Sequence, residues 1–139
     1  PSHATCQRFP EAGNVFVSEA QHAFDGLALD GRTAVLLLTH NYDYDMALLN
    51  QVIGSEIPYI GILGPRSKTM RMIEALPPEI RTAANLEKIY GPTGLDLGAE
   101  NSEEIALSIL AEVKAVAAGR NGSPLRLRNV PIHEPTPVD

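Results

Sequence analysis

Hydrophobic positions in this chain fall into short runs with two different periods. Residues 33–39 read Thr-Ala-Val-Leu-Leu-Leu-Thr and are apolar at every interior position. A run of this length predicts a strand, and the lack of alternation predicts cover on both faces, as in a parallel sheet between helix layers. Residues 57–63 predict a second strand, with Pro58 near its start, where a missing N–H is tolerated. Val15-Phe16-Val17 predicts a short earlier strand and Ile89-Tyr90 a short last one.

Helical spacing fills the intervals between these runs. Ser18 is placed to cap a helix to about Leu29, with Ala20, Ala23, Phe24, Leu27 and Ala28 on one face. A second helix is predicted over 45–53 with Ala47, Leu48, Val52 and Ile53 toward the core, closed by Gly54. A third carries Met70, Ile73 and Leu76 on one side and stops at Pro77-Pro78, and a short helix runs on to about Lys88. The longest follows Asn101 or Ser102 as cap, with Glu104 placed for the return contact of a capping box and Gly119 as its stop. Ile105, Ala106, Leu107, Ile109, Leu110, Val113 and Val116 cover over half its circumference, which predicts burial on several sides.

Strand–helix alternation makes this an α/β chain with a mainly parallel sheet. Its organisation reads as one domain over 1–120 and an irregular tail over 121–139, where Gly122, Pro124, Pro131, Pro135 and Pro137 break any pattern. In such sheets ligands bind at the carboxyl ends of the strands, so the residues just past each strand carry the candidate chemistry.

Three such loops stand out. His40 follows the clearest strand and has the chemistry of an acid, base or ligand, with Asp45 placed to orient it. Equally, Asp45 caps its helix and His40 bonds backbone. Gly64-Pro65-Arg66-Ser67-Lys68 joins a glycine turn, two cations and a helix start, which suits a phosphate or carboxylate, or reads simply as a solvated helix N-terminus. In Gly91-Pro92-Thr93-Gly94-Leu95-Asp96-Leu97-Gly98, glycines hold backbone N–H groups near a helix start, where Asp96 either faces a ligand or closes an Asx turn.

Composition narrows the functions. The 139 residues hold 17 acidic against 11 basic side chains, for a net charge of −6, which argues against a general nucleic-acid role. No aliphatic run is long enough to span a bilayer. Cys6 is the only cysteine, so no internal disulfide forms and a cytoplasmic setting is expected. No paired histidines or cysteines suggest a metal, and a hydrolase built on His40, Asp43 and Asp45 would draw all its ligands from one loop. No G-x-G-x-x-G or Walker spacing occurs. Pro1 is not an initiator methionine, so the chain reads as part of a longer polypeptide.

These stretches together resemble the C-terminal Rossmann-like domain of the xanthine dehydrogenase accessory (XdhC/CoxI) family, over nearly the whole chain. The segments that carry the resemblance are Thr39-His40 through Asp45, Tyr59-Ile60-Gly61-Ile62-Leu63-Gly64 with Arg66, the glycine loop from Gly91 to Ala99, and Glu103-Glu104-Ile105-Ala106-Leu107-Ser108-Ile109-Leu110-Ala111-Glu112. Two positions depart from the family pattern. Asn41 stands where an aspartate is usual, and Pro65 stands where a serine is usual, which removes a donor from the anion cradle.

The resemblance implies a three-layer αβα fold that lacks its first strands, with Val15-Phe16-Val17 as strand three and 33–39 as strand four. It implies completion by an N-terminal portion of the same protein or by a second copy, as in a homodimer. It also implies a non-enzymatic maturation factor that carries the molybdenum cofactor, a phosphorylated pterin, to the apo form of a molybdenum hydroxylase. Cofactor-binding residues would be Gly64, Arg66, Ser67, Lys68, Gly91, Gly94 and Asp96, with His40 and Asp45 as the catalytic pair if chemistry occurs. The competing reading is an NAD(P)-dependent oxidoreductase using His40.

Overall fold

The computed structural model describes residues 4–132, so the expectations for Pro135 and Pro137 lie outside the described residues. The chain divides into two compact units between Thr93 and Gly94. The first holds a three-stranded parallel sheet in the order β1 (Ala34–Leu37), β2 (Tyr59–Ile62), β3 (Ile89–Tyr90). Ala34 pairs with Tyr59 and Leu37 with Ile62, while Ile60 pairs with Ile89. Between the strands run α1 (Tyr42–Val52), α2 (Arg66–Ala75) and the single turn α3 (Ala83–Leu86). This is the α/β, Rossmann-like arrangement expected from the strand–helix alternation.

One sheet face builds the core. Val35 and Leu37 of β1 and Ile60 and Ile62 of β2 cluster with Leu48, Leu49 and Val52 of α1 and Met72 of α2. Each such side chain, fully buried, contributes about 1.5–3 kcal/mol. Buried on α2 are Thr69 and Met72, with Leu76 at its C-cap, and Met70 is exposed. The helix is therefore rotated from the expected Met70 face, and Lys68 in its first turn also points inward, to Asp45.

Three further expectations are corrected. Val15-Phe16-Val17 forms no strand, and both Phe16 and Val17 are exposed. Residues 18–29 hold only a 3-10 turn, Ala20–His22. Ala20, Ala23 and Phe24 do touch the core as their spacing predicted, but Gly26 at φ +74° ends any helix. Finally, β1 is not covered on both faces. Its burial alternates, with Val35 and Leu37 buried and Leu36 36% and Leu38 46% exposed. Among the described residues β1 has only β2 as a strand neighbour.

The second unit holds α4 (Ser102–Ala117) and a 3-10 turn, Leu125–Leu127. The capping box is as expected. Asn101 accepts from the Glu104 N–H, and the Glu104 carboxylate accepts from the backbone of Glu100 at 2.8 Å and of Asn101 at 3.4 Å. Gly119, at φ +61°, follows its end. The expected burial on several sides does not occur. Only Ser108 and Ile109 are buried, and Leu107 and Leu110 are each over 60% exposed.

The capping box gives a prediction with a sign. The Glu100 N–H first, and the Asn101 N–H after it, hold the Glu104 carboxyl below its ordinary value. A depressed carboxyl stabilises the fold above its unfolded pKa, and that contribution disappears as pH falls through the depressed value. Helicity at the start of α4 is thus expected to decline on acidification below the ordinary carboxylate range. Asn101→Ala should cost about 1 kcal/mol and Glu104→Gln should flatten the acid limb, both read by circular dichroism.

Candidate functional site

All strands are parallel, so β1, β2 and β3 end on one edge of the sheet. At that edge the first unit brings together Thr39 and His40 after β1, Leu63 and Gly64 after β2, the first turn of α2, and Gly91 after β3. Thr93 ties the last loop back to the sheet. Its N–H donates to the Ile62 carbonyl at 3.1 Å, and its hydroxyl meets the Tyr59 hydroxyl at 2.6 Å. Tyr59 also stacks on Tyr90, with ring centroids 4.4 Å apart.

The interior of this edge is ionic. Lys68 Nζ donates to Asp45 Oδ2 at 2.6 Å, to the Leu63 carbonyl at 3.1 Å and to the Thr39 carbonyl at 3.4 Å. The Thr39 hydroxyl donates to the other carboxylate oxygen, Asp45 Oδ1, at 2.5 Å. Asp45 is 0% exposed.

Neither sequence reading of Asp45 holds. Asn41 caps α1 by accepting from the Tyr44 N–H at 3.0 Å, so the helix begins three residues before the expected start. The Asp45 carboxylate bonds Thr39 and Lys68, not His40. His40 is exposed. Lys68, expected to face an anion, has its ammonium protons directed at three oxygens of its own chain.

An anion-ready surface remains beside this pair. The N-cap of α2 is Pro65, which provides no side-chain acceptor. The N–H groups of Arg66 and Ser67 begin the helix and have no intrahelical partner. Both residues are exposed, and Arg66 adds a guanidinium at the positive end of the helix dipole. Gly64 makes the turn possible at φ +123°, a conformation that side chains disfavour. Gly91 approaches α2 closely, since a Cβ there would collide with the Thr69 side chain.

Gly94 and Asp96 belong to the second unit. The Gly94 N–H donates to Glu112 Oε2 at 2.8 Å, so a carboxylate of the same chain already fills the role foreseen for an anionic ligand. The Ser108 hydroxyl donates to the Leu95 carbonyl at 2.5 Å, and Leu95 N donates back to the Ser108 carbonyl at 3.3 Å. Asp96 is exposed and closes no Asx turn among the described residues. Sequence reasoning missed the roles of Thr39 at the site edge of the first unit and of Glu112 within the second. A threonine ending an aliphatic run was the available signal for the first, and nothing local marks the second.

The model of the XdhC Rossmann domain family matches residues 1–113. The chain belongs to this family. Two curated relatives support the XdhC assignment. A protein of Bacillus subtilis (strain 168), named as a probable xanthine dehydrogenase subunit, is 29% identical over 113 residues, 81% of this chain and 32% of that protein. The "Uncharacterized protein YqeB" of Escherichia coli (strain K12) is 30% identical over 111 residues, 80% of this chain and 20% of that protein. The XdhC fold also agrees with a crystal structure described as a xanthine dehydrogenase from Bacillus halodurans. That structure superposes with a TM-score of 0.70 at 28% identity, over 84% of this chain and 34% of the other. This XdhC domain thus spans about a third or less of the length of each of these relatives. Among its described residues, no helix is long and apolar enough to cross a membrane.

Proposed function

We propose that this domain is the ligand-handling part of a cytoplasmic accessory factor for xanthine dehydrogenase-type molybdenum hydroxylases. It holds the phosphate of the molybdenum cofactor as cargo for the apo-enzyme and does not turn it over. The observation that carries this reading is the start of α2. Two uncapped N–H groups and the exposed Arg66 guanidinium meet at the carboxyl edge of a parallel sheet, where such folds bind anions. Membership in the XdhC family, and a relative named for xanthine dehydrogenase, support the setting. The interior ion pair favours carriage over chemistry. It leaves Asp45 and Lys68 bonded to each other and to backbone rather than placed to move protons of a ligand.

The test is mass spectrometry of small molecules that co-purify with the full-length protein. A pterin phosphate is the expected result, and a nicotinamide dinucleotide in its place would overturn the reading in favour of an oxidoreductase. Arg66→Ala is expected to weaken binding of the phosphorylated pterin about tenfold, because it removes a charge-assisted donor. Arg66→Lys should recover only part of that loss, since a single ammonium cannot present the planar fork. Equilibrium titration measures both.

A further inference from the structure

We propose that the Asp45–Lys68 pair is a positioning brace that aims the start of α2 at its anionic ligand. This rests on the reading above and extends it to two residues that do not touch the ligand. The brace joins four elements. Lys68 lies in the first turn of α2, Asp45 in the first turn of α1, and the two bound carbonyls lie just past the ends of β1 and β2. Thr39 fixes the carboxylate from its other side. Lys68 is one residue from Ser67 and two from Arg66, so holding its ammonium against both strand ends fixes the direction of the N–H groups beside it.

Two further observations favour this role. A buried ion pair rarely stabilises a fold more than an apolar pair of similar volume would, so stability alone gives little reason for it. An apolar pair could not bind the carbonyls of Thr39 and Leu63, and those bonds register the helix on the sheet. In addition, Gly64 makes room for the lysine stem. A Cβ on Gly64 would lie 3.1 Å from Lys68 Cδ. The absent side chain that permits the turn therefore also lets the stem pass beneath it. Since Asp45 and Lys68 cancel in charge, attraction for the anion is left to Arg66 and the helix terminus.

The test compares the full wild-type chain with the double variant Asp45→Leu/Lys68→Met, which removes both charges together. Hydrogen exchange over residues 63–68, read at the bonded Leu63 and Lys68 amides, and the affinity for inorganic phosphate are measured on each, with Arg66→Ala as a phosphate control. In the double variant, exchange is expected to rise and phosphate affinity to fall, each by about tenfold, while the rest of the sheet stays protected. Wild-type protection of 63–68 in a folded double variant would overturn the brace. If the double variant does not fold, Thr39→Val, which keeps the ion pair, should still raise exchange over 63–68. Unchanged exchange there would equally overturn the proposal. Failure of the phosphate site itself reads differently: wild type and Arg66→Ala would then bind phosphate alike, while exchange still judges the brace.

Discussion

Lys68→Met is expected to lower the unfolding free energy by about 3–5 kcal/mol, the range for removing one partner of a buried ion pair. The carboxylate it leaves behind has no route to water. Asp45 is 0% exposed, sits on a short side chain and keeps only the Thr39 hydroxyl. Asp45→Ala should cost less. The Lys68 side chain retains 18% exposure and a long stem, and an orphaned ammonium can extend toward solvent. Urea denaturation of both variants tests the ordering. If Asp45→Ala proved the more damaging, the carboxylate would not be the trapped partner.

Gly61→Ala should cost about 1–3 kcal/mol by overpacking the central strand. An added Cβ would lie 2.6 Å from Thr93 Oγ1, 2.7 Å from Leu36 Cδ2 and 2.8 Å from Tyr59 Cε1. Leu36 has space to move outward, but Tyr59 is 1% exposed and stacked on Tyr90, so it cannot. Thr93 must then give way, which loosens its contact with the Tyr59 hydroxyl. Gly54→Ala is the matching control. Nothing lies within 4 Å of its added Cβ, and it should stay within about 0.5 kcal/mol of wild type in thermal unfolding.

What could be read from the sequence was what local chemistry decides. The capping box at Asn101 and Glu104 needs only neighbours three residues apart, and it formed as read. β1 and β2 were visible because largely aliphatic runs bounded by turn residues have few other uses. Features that depend on distant partners were not visible. Val15-Phe16-Val17 has strand-like composition, but a strand exists only against a neighbour, and none is present among the described residues. The alternating burial of β1 reflects cover on one of its faces, which a run of aliphatic residues does not reveal. The candidate site divided the same way. The exposed Arg66 and Ser67 stand where the sequence placed them. Lys68 looked identical on paper, yet its stem folds inward to a carboxylate 23 residues away. For Gly94, the acceptor of its N–H lies 18 residues ahead, on the far side of a helix start.

The inward turn of Lys68 has a practical counterpart in covalent labelling. The chain has three lysines. Lys68 is held as described, and the Lys88 ammonium donates to the carbonyls of Ile53 at 2.9 Å and Ser55 at 2.7 Å. Lys114 is exposed. An acylating reagent at low dose should therefore modify Lys114 ahead of the other two lysines. The surface charge it leaves untouched is guanidinium, whose flat paired donors suit phosphate oxygens better than an ammonium does.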